Sequence, residues 1–91
     1  MPREARTDLS KRQREVVRLG SLGCSAREVA AILGIEATTV NNTKAAAMAR
    51  LDCEKMPLLV RLAIKHRITS LNDKLTATEK RKSGRKNDGW N

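Results

Sequence analysis

Apolar residues near the start of the chain recur at the spacing of an α-helix, after a polar segment typical of a helix cap. Ser10 is followed three residues later by Gln13, and in such a capping box each side chain bonds to the backbone N–H of the other residue. The apolar stripe that follows consists of Val16, Val17, Leu19 and Leu22. Because Gly23 is typical of a helix end, the pattern predicts a first helix over residues 11–22.

A second capping box and a short turn predict the next two helices. Ser25 and Glu28 have the same spacing, and the apolar residues behind them end at Gly34, which predicts a helix over residues 26–33. A segment rich in Ala and free of Gly and Pro then predicts a third helix over residues 38–52. Two helices joined by so short a turn containing Gly are typical of a helix-turn-helix.

The third helix is predicted to bury one face and expose the other, since an ideal helix rotates by about 100° per residue. The residues predicted to pack inward are Val40, Ala47, Met48 and Leu51. The residues predicted to face outward are Thr38, Asn41, Asn42, Ala45 and Ala49. Lys44 lies on the core side, so its stem would have to extend along the apolar surface before the ammonium group reaches water.

Pro57 suits the first position of a fourth helix, predicted over residues 57–67. This helix has more apolar residues than one inward stripe needs. Leu59, Leu62 and Ala63 can pack inward. A second apolar surface, suited to self-association, would then consist of Leu58, Val60 and Ile64.

Beyond the fourth helix the apolar periodicity disappears, and Lys and Arg are scattered among polar residues. We therefore expect one domain over residues 9–68, a short N-terminal arm over 1–8, and a flexible, disordered basic tail over 69–91. Trp90 is expected to lie in this tail rather than in a core.

Composition supports an all-α fold for this 91-residue chain. There is no Phe or Tyr and a single Trp, so the core must be built from aliphatic side chains, which favours packed helices over a sheet. A core of this size is marginal. Dimerisation or binding to a partner would therefore add stability.

The charge points to a polyanionic partner, because 19 Lys and Arg against 10 Asp and Glu give a net charge of +9. RNA fits this charge as well as DNA does, and a basic balance can also serve solubility alone. The lack of stacking aromatic residues in the domain argues against the common ways of binding single-stranded RNA.

The sequence contains little that suits catalysis or metal binding. Cys24 and Cys53 lack CxxC spacing, and the single histidine, His66, completes no ligand set, so we expect reduced thiols and neither a metal nor a cofactor. No Gly-rich phosphate loop or nucleophile with a nearby base is evident, and we expect no enzyme. Without an apolar run or signal region, the protein is expected in the cytoplasm, associated with the nucleoid.

Several motifs resemble, in order and at the right separations, the DNA-binding domain of the LuxR/FixJ/GerE type. The stretch 9–17, reading LSKRQREVV, looks like the opening of that domain, and the match continues with 23–30, reading GCSAREVA. Leu-Gly-Ile at 33–35, Thr-Val at 39–40 and the stretch 59–63 complete the resemblance. It extends over residues 9–68. Residues 12–16 and 46–51 also look like the promoter-reading region of bacterial sigma factors, region 4, but that region ordinarily ends with its recognition helix.

The resemblance implies a four-helix domain whose third helix enters the DNA major groove and whose fourth often forms a dimer contact. By position it places Asn41 and Asn42 at base or groove contacts. It places Lys44 where a basic residue is common, and Arg27 where a cation approaches phosphate. Ala45 stands where some members have a basic contact. Thr38 and Thr39, at a helix N-terminus, also suit a phosphate. The dimer contact would use Leu58, Val60, Arg61 and Ile64.

We therefore predict a stand-alone, dimeric bacterial transcription factor that binds double-stranded DNA sequence-specifically, since the chain leaves no room for a controlling domain. One departure motivates an alternative. Residues 40–44 read VNNTK, where the family usually has V-x-V-H-R/K. The alternative is an interaction module that keeps the fold, binds DNA weakly, and acts through the fourth helix on RNA polymerase or another regulator.

Overall fold

The computed structural model describes residues 9–84. All of the regular secondary structure in this part of the chain is helix. Five helices follow one another: α1 Lys11–Ser21, α2 Ala26–Leu33, α3 Ala37–Arg50, α4 Met56–Lys65 and α5 Ala77–Ser83. The all-α prediction is confirmed, and the first four helices lie close to their predicted bounds. The predicted N-terminal arm and Trp90 lie outside the described residues.

Both predicted capping boxes are present at the starts of α1 and α2. The N–H of Gln13 donates to Ser10 Oγ at 3.1 Å, and the N–H of Ser10 donates to Gln13 Oε1 at 2.9 Å. Ser25 and Glu28 make the same exchange at 3.2 and 2.8 Å. Each box satisfies backbone donors that a helix start otherwise leaves without an intrahelical partner, so these short helices begin at fixed residues.

The core consists of two clusters that meet on α1. The first cluster packs α1 against α3 and α4 and contains Leu9, Val17, Ala47, Leu51, Cys53, Leu59 and Ala63. The second packs α1 against α2 and α3 and contains Val16, Leu19, Val29, Ile32, Val40 and Leu75. Val16 and Val17 are adjacent in sequence and buried in different clusters, at 1% and 0% exposure. Burying each such side chain stabilises the fold by about 1.5–3 kcal/mol.

The expectation of a flexible, disordered tail over residues 69–91 is wrong for residues 69–84, which bury Thr69 and Leu75 and contain α5 over Ala77–Ser83. Leu75 is buried in the second cluster, and α5 packs on α2. Thr76 and Glu79 form a third capping box, with N–H to oxygen distances of 3.1 and 2.9 Å. The segment has no apolar stripe of its own, so its helix depends on tertiary partners that periodicity does not reveal. Residues 85–91 lie outside the described part.

Truncation of Leu75 tests whether this segment belongs to the folded unit. We expect Leu75→Ala to lower the free energy of unfolding by about 2–5 kcal/mol, because it leaves a cavity in the second cluster. The matched control is Leu71→Ala, since Leu71 is 75% exposed. Its effect should stay within about 0.5 kcal/mol. Urea denaturation measures both, and equal midpoints for the two variants would contradict the packing described here.

Candidate nucleic-acid interface

One face of α3 is exposed and polar, as predicted. Val40, Ala47 and Leu51 are buried, and Met48 is half-buried against the first cluster. These contacts fix the rotation of α3 about its axis. The residues that the rotation leaves exposed include all of those predicted to face outward: Thr38, Asn41, Asn42, Ala45 and Ala49. Thr39 is exposed as well, at the edge of this face.

The start of α3 has exposed hydroxyl groups but no side-chain cap. Its N-cap residue is Glu36, and Glu36 makes no capping hydrogen bond. The backbone N–H groups of the first turn therefore receive no cap from that side chain, unlike those of α1 and α2. Thr38 and Thr39 lie in this turn. Backbone N–H groups, hydroxyl groups and the positive end of the helix dipole together suit a phosphate oxygen.

Two cations named in the sequence analysis lie in different surroundings. Arg27 is exposed near the start of α2, whereas Lys44 is half-buried on the side of α3 that packs inward. The half-burial of Lys44 agrees with a stem that extends along the apolar surface. Arg27 is therefore the more exposed of the two cations.

The turn between α2 and α3 holds these groups in one arrangement. Gly34 ends α2 in the left-handed conformation, at φ 72°, which residues with a Cβ adopt rarely. The N–H groups of Gly34 and Ile35 both donate to the carbonyl of Ala30, at 2.8 and 3.1 Å. This closed end is typical of helix C-termini. Arg27 and the start of α3 are thus positioned by a short turn with internal hydrogen bonds.

On α4 the boundary between buried and exposed residues is less sharp than the sequence predicts. Leu59 and Ala63 are buried, and Leu62 is half-buried against the first cluster. Among the residues predicted for the dimer contact, Leu58 is 45% exposed and Arg61 is exposed, while Val60 and Ile64 are half-buried. An open groove beside the end of α4 is lined by Ile64, Ile68 and Leu71 among other residues. An apolar surface is therefore present on α4, smaller than predicted.

The strongest cluster of charges lies at Arg18, which sequence reasoning did not select. Its Nε donates to Asp73 Oδ2 at 2.8 Å, and its Nη2 donates to Asp73 Oδ1 at 3.2 Å. Its Nη1 donates to Glu79 Oε2 at 2.9 Å, and Nη2 also donates to the carbonyl of Lys74 at 3.0 Å. Arg18 therefore joins α1 to α5 and to the segment before it. The sequence feature that could have indicated this cluster is the presence of two acids, Asp73 and Glu79, within an otherwise basic stretch.

These contacts shift the pKa values of all three groups toward their charged forms. The hydrogen bond to Asp73 raises the pKa of Arg18, and the same bond lowers the pKa of Asp73. Burial alone would raise the pKa of Glu79, but the hydrogen bonds from Thr76 and Arg18 lower it overall. Asp73 also accepts a 2.7 Å bond from Thr69 Oγ1. All three groups are therefore ionised at neutral pH.

The two cysteines differ in exposure, since Cys24 is half-buried and Cys53 is buried. Cys53 is buried in the first cluster, and burial raises the pKa of its thiol.

Within residues 9–84, no group of three or more His, Cys, Asp or Glu side chains is placed to hold a metal ion. None of the helices in that part of the chain is both long and apolar enough to cross a bilayer.

Comparison with known proteins identifies one family. The sequence model of the family described as "Bacterial regulatory proteins, luxR family" matches residues 7–63. Those residues include α1 to α3 and most of α4. No curated protein and no solved structure gave a match. The matched region contains the exposed face of α3 but ends before Asp73 and α5.

The Arg18 cluster predicts a specific dependence of stability on pH. Because the folded-state pKa of Asp73 is lowered, its contribution is complete above the unfolded value of about 3.9 and is lost as pH falls through the folded pKa. We therefore expect Asp73→Asn to lower the urea midpoint at pH 7, and this effect to shrink progressively as the pH falls below about 3.9. The control is Glu54→Gln, an exposed carboxyl before α4. An Asp73→Asn effect independent of pH would contradict this account.

Proposed function

The chain belongs to the luxR family of bacterial regulatory proteins, and we propose that it binds double-stranded DNA sequence-specifically, with α3 in the major groove. The observation that supports this most is the exposed face of α3. Its rotation is fixed by buried Val40, Ala47 and Leu51, and it places Asn41 and Asn42 side by side in solvent. A polar face on a rigidly packed helix is what base recognition requires.

We propose base contacts for three residues of this face. Asn41 and Asn42 would each bond to adenine N6 and N7, a pairing that discriminates between bases by about 1–3 kcal/mol. Ala45, one turn further on, would allow the helix to approach closely and contact a thymine methyl group. Reading by two Asn residues predicts operator half-sites that contain adenine.

Backbone contacts would come from the groups around the start of α3. Thr38 and Thr39 lie where N–H groups lack a side-chain cap, and would bind a phosphate. Arg27 from α2 and the ammonium group of Lys44 would contact phosphates on either side. Such contacts set the register of the protein on the duplex without selecting sequence, and they weaken as salt rises.

A homodimer through α4 would complete the site. The proposed contact uses Leu58, Val60, Arg61 and Ile64, and a two-fold dimer would bring the same surface of each chain together. The two α3 helices would then contact half-sites separated by about one helical turn, 10–10.5 base pairs. Pairing would also bury apolar surface that a small core leaves exposed.

A second candidate function is favoured by the exposed apolar residues. Leu58 and Leu71 are the large hydrophobic side chains exposed in the described residues, and they lie on α4 and shortly after it. A partner such as RNA polymerase or another regulator could cover them in place of a second copy. In that case the fold would serve protein binding, and DNA binding would be weak and non-specific.

Replacement of the two Asn residues tests base recognition. We expect Asn41→Ala with Asn42→Ala to weaken binding to a duplex enriched from random DNA by about fivefold or more per residue, with little change for random duplex. Ala favours the helix, so folding should persist. Fluorescence anisotropy at fixed salt measures both affinities. The control is Asn72→Ala, an exposed Asn beyond α4, and unchanged specific binding by the double variant would refute the proposed reading.

A charge on α4 tests the proposed dimer. Leu58→Glu should shift the protein toward monomer, because two carboxylates would meet across a two-fold contact, and we expect the dimer to weaken at least tenfold. Sedimentation equilibrium measures the association constant. Ala31→Glu adds the same charge at an exposed position of α2 and should leave association unchanged. Equal association by both variants would exclude this contact.

A further inference from the structure

The surface of α5 is a candidate for a further contact, because α5 lies outside residues 7–63, which match the family. Between residues 69 and 84 the chain has four Lys or Arg and two acids. Both acids, Asp73 and Glu79, are turned inward onto Arg18. The charge that this segment exposes to solvent is therefore mainly positive.

Two cations of α5, Arg81 and Lys82, are exposed at different angles from the anchoring residue Glu79. Successive residues of a helix are rotated by about 100°, so Arg81 lies on the side roughly opposite Glu79, while Lys82 lies about 60° from it. Arg81 and Lys82 are both exposed, whereas Lys80 is half-buried. Glu79 binds Arg18 and caps α5 at the same time, through Oε2 and Oε1 respectively. The contact that holds α5 in place therefore leaves two neighbouring cations directed outward.

The helix that carries these cations, α5, packs on the helix-turn-helix. α5 packs on α2, the helix that exposes Arg27 and precedes the turn into α3. The anchor includes buried Leu75 and the two ion pairs of Arg18, whose side chain is only 24% exposed. Cations fixed in this way lose less conformational entropy on binding than cations of a loose tail.

We propose that the exposed cations of α5, Arg81 and Lys82, are a second contact to the DNA backbone, beside the one formed by α2 and α3. The proposal rests on the proposed function, because it assigns this surface to the same duplex. The contact is to phosphate and is independent of sequence. Arg18 acts as a positioning residue for it, since its bonds to Asp73 and Glu79 hold α5 against the domain.

The test compares two variants that lose the same charge at different places. One is Arg81→Gln with Lys82→Gln on α5, and the matched control is Lys55→Gln with Lys65→Gln at the two ends of α4. All four residues are exposed, so both variants should keep the urea midpoint of the wild type. Binding of the full chain to random-sequence duplex is measured by anisotropy between about 50 and 200 mM salt.

The slope of log affinity against log salt reports the number of phosphates contacted. Each lost contact lowers its magnitude by about 0.9, so the α5 variant should lose up to about 1.8 per bound chain. The α4 control should keep most of the slope, because screening limits the effect of charges more than about 10 Å from the duplex. Hydroxyl-radical footprinting should show protection at the flank that the α5 variant alone loses.

Three results would overturn the proposal. Equal slopes for the α5 variant and the wild type would mean that Arg81 and Lys82 serve only the helix dipole or solubility, and would leave recognition by α3 standing. Equal losses in the α5 variant and the α4 control would mean that net charge, not position, matters. If the wild type binds no duplex at low salt, both this proposal and the proposed function fail. The first two results refute only the α5 contact, so the two kinds of failure can be told apart.

Discussion

Burial of α1 on two sides is the constraint on which the rest of the structure depends. Residues 9–84 contain no Phe, Tyr or Trp, so aliphatic side chains must fill the space between these helices. Val16 and Val17 point from adjacent positions into two aliphatic clusters. α2 packs on one side of α1, α4 on the other, and α3 contacts both clusters. Each Val therefore shares its cluster with residues of two other helices, α2 and α3 for Val16 and α3 and α4 for Val17.

The functional face follows from the same constraint. Val40 belongs to one cluster, and Ala47 and Leu51 belong to the other, so α3 is held at both ends and cannot rotate without opening the core. Its exposed Asn and Thr residues therefore have a fixed direction. α5 adds to this arrangement by filling the second cluster with Leu75 and by using the charge of Arg18 from α1. Packing thus determines both polar surfaces for which we propose DNA contacts.

Local signals made much of the fold predictable, and the errors have a physical cause. The Ser10 and Ser25 caps and the rotation of α3 depend on residues three or four apart, which a sequence displays directly. α5 depends on contacts between residues 18, 73 and 79, and on one Leu that fits a site built by three other helices. Such long-range contacts leave no periodic pattern. The same applies to α4, where half-burial of Val60 and Ile64 is set by neighbours.

Recognition of DNA by the exposed face of α3 is the central claim, and amide chemical-shift mapping by NMR tests it most directly. The full chain would be titrated with a duplex enriched by selection from random sequences. The account predicts that the largest shifts fall on residues 38–45, with further shifts near Arg27 at the start of α2. Shifts confined to α4, with residues 38–45 unaffected, would contradict it and would favour an interaction module.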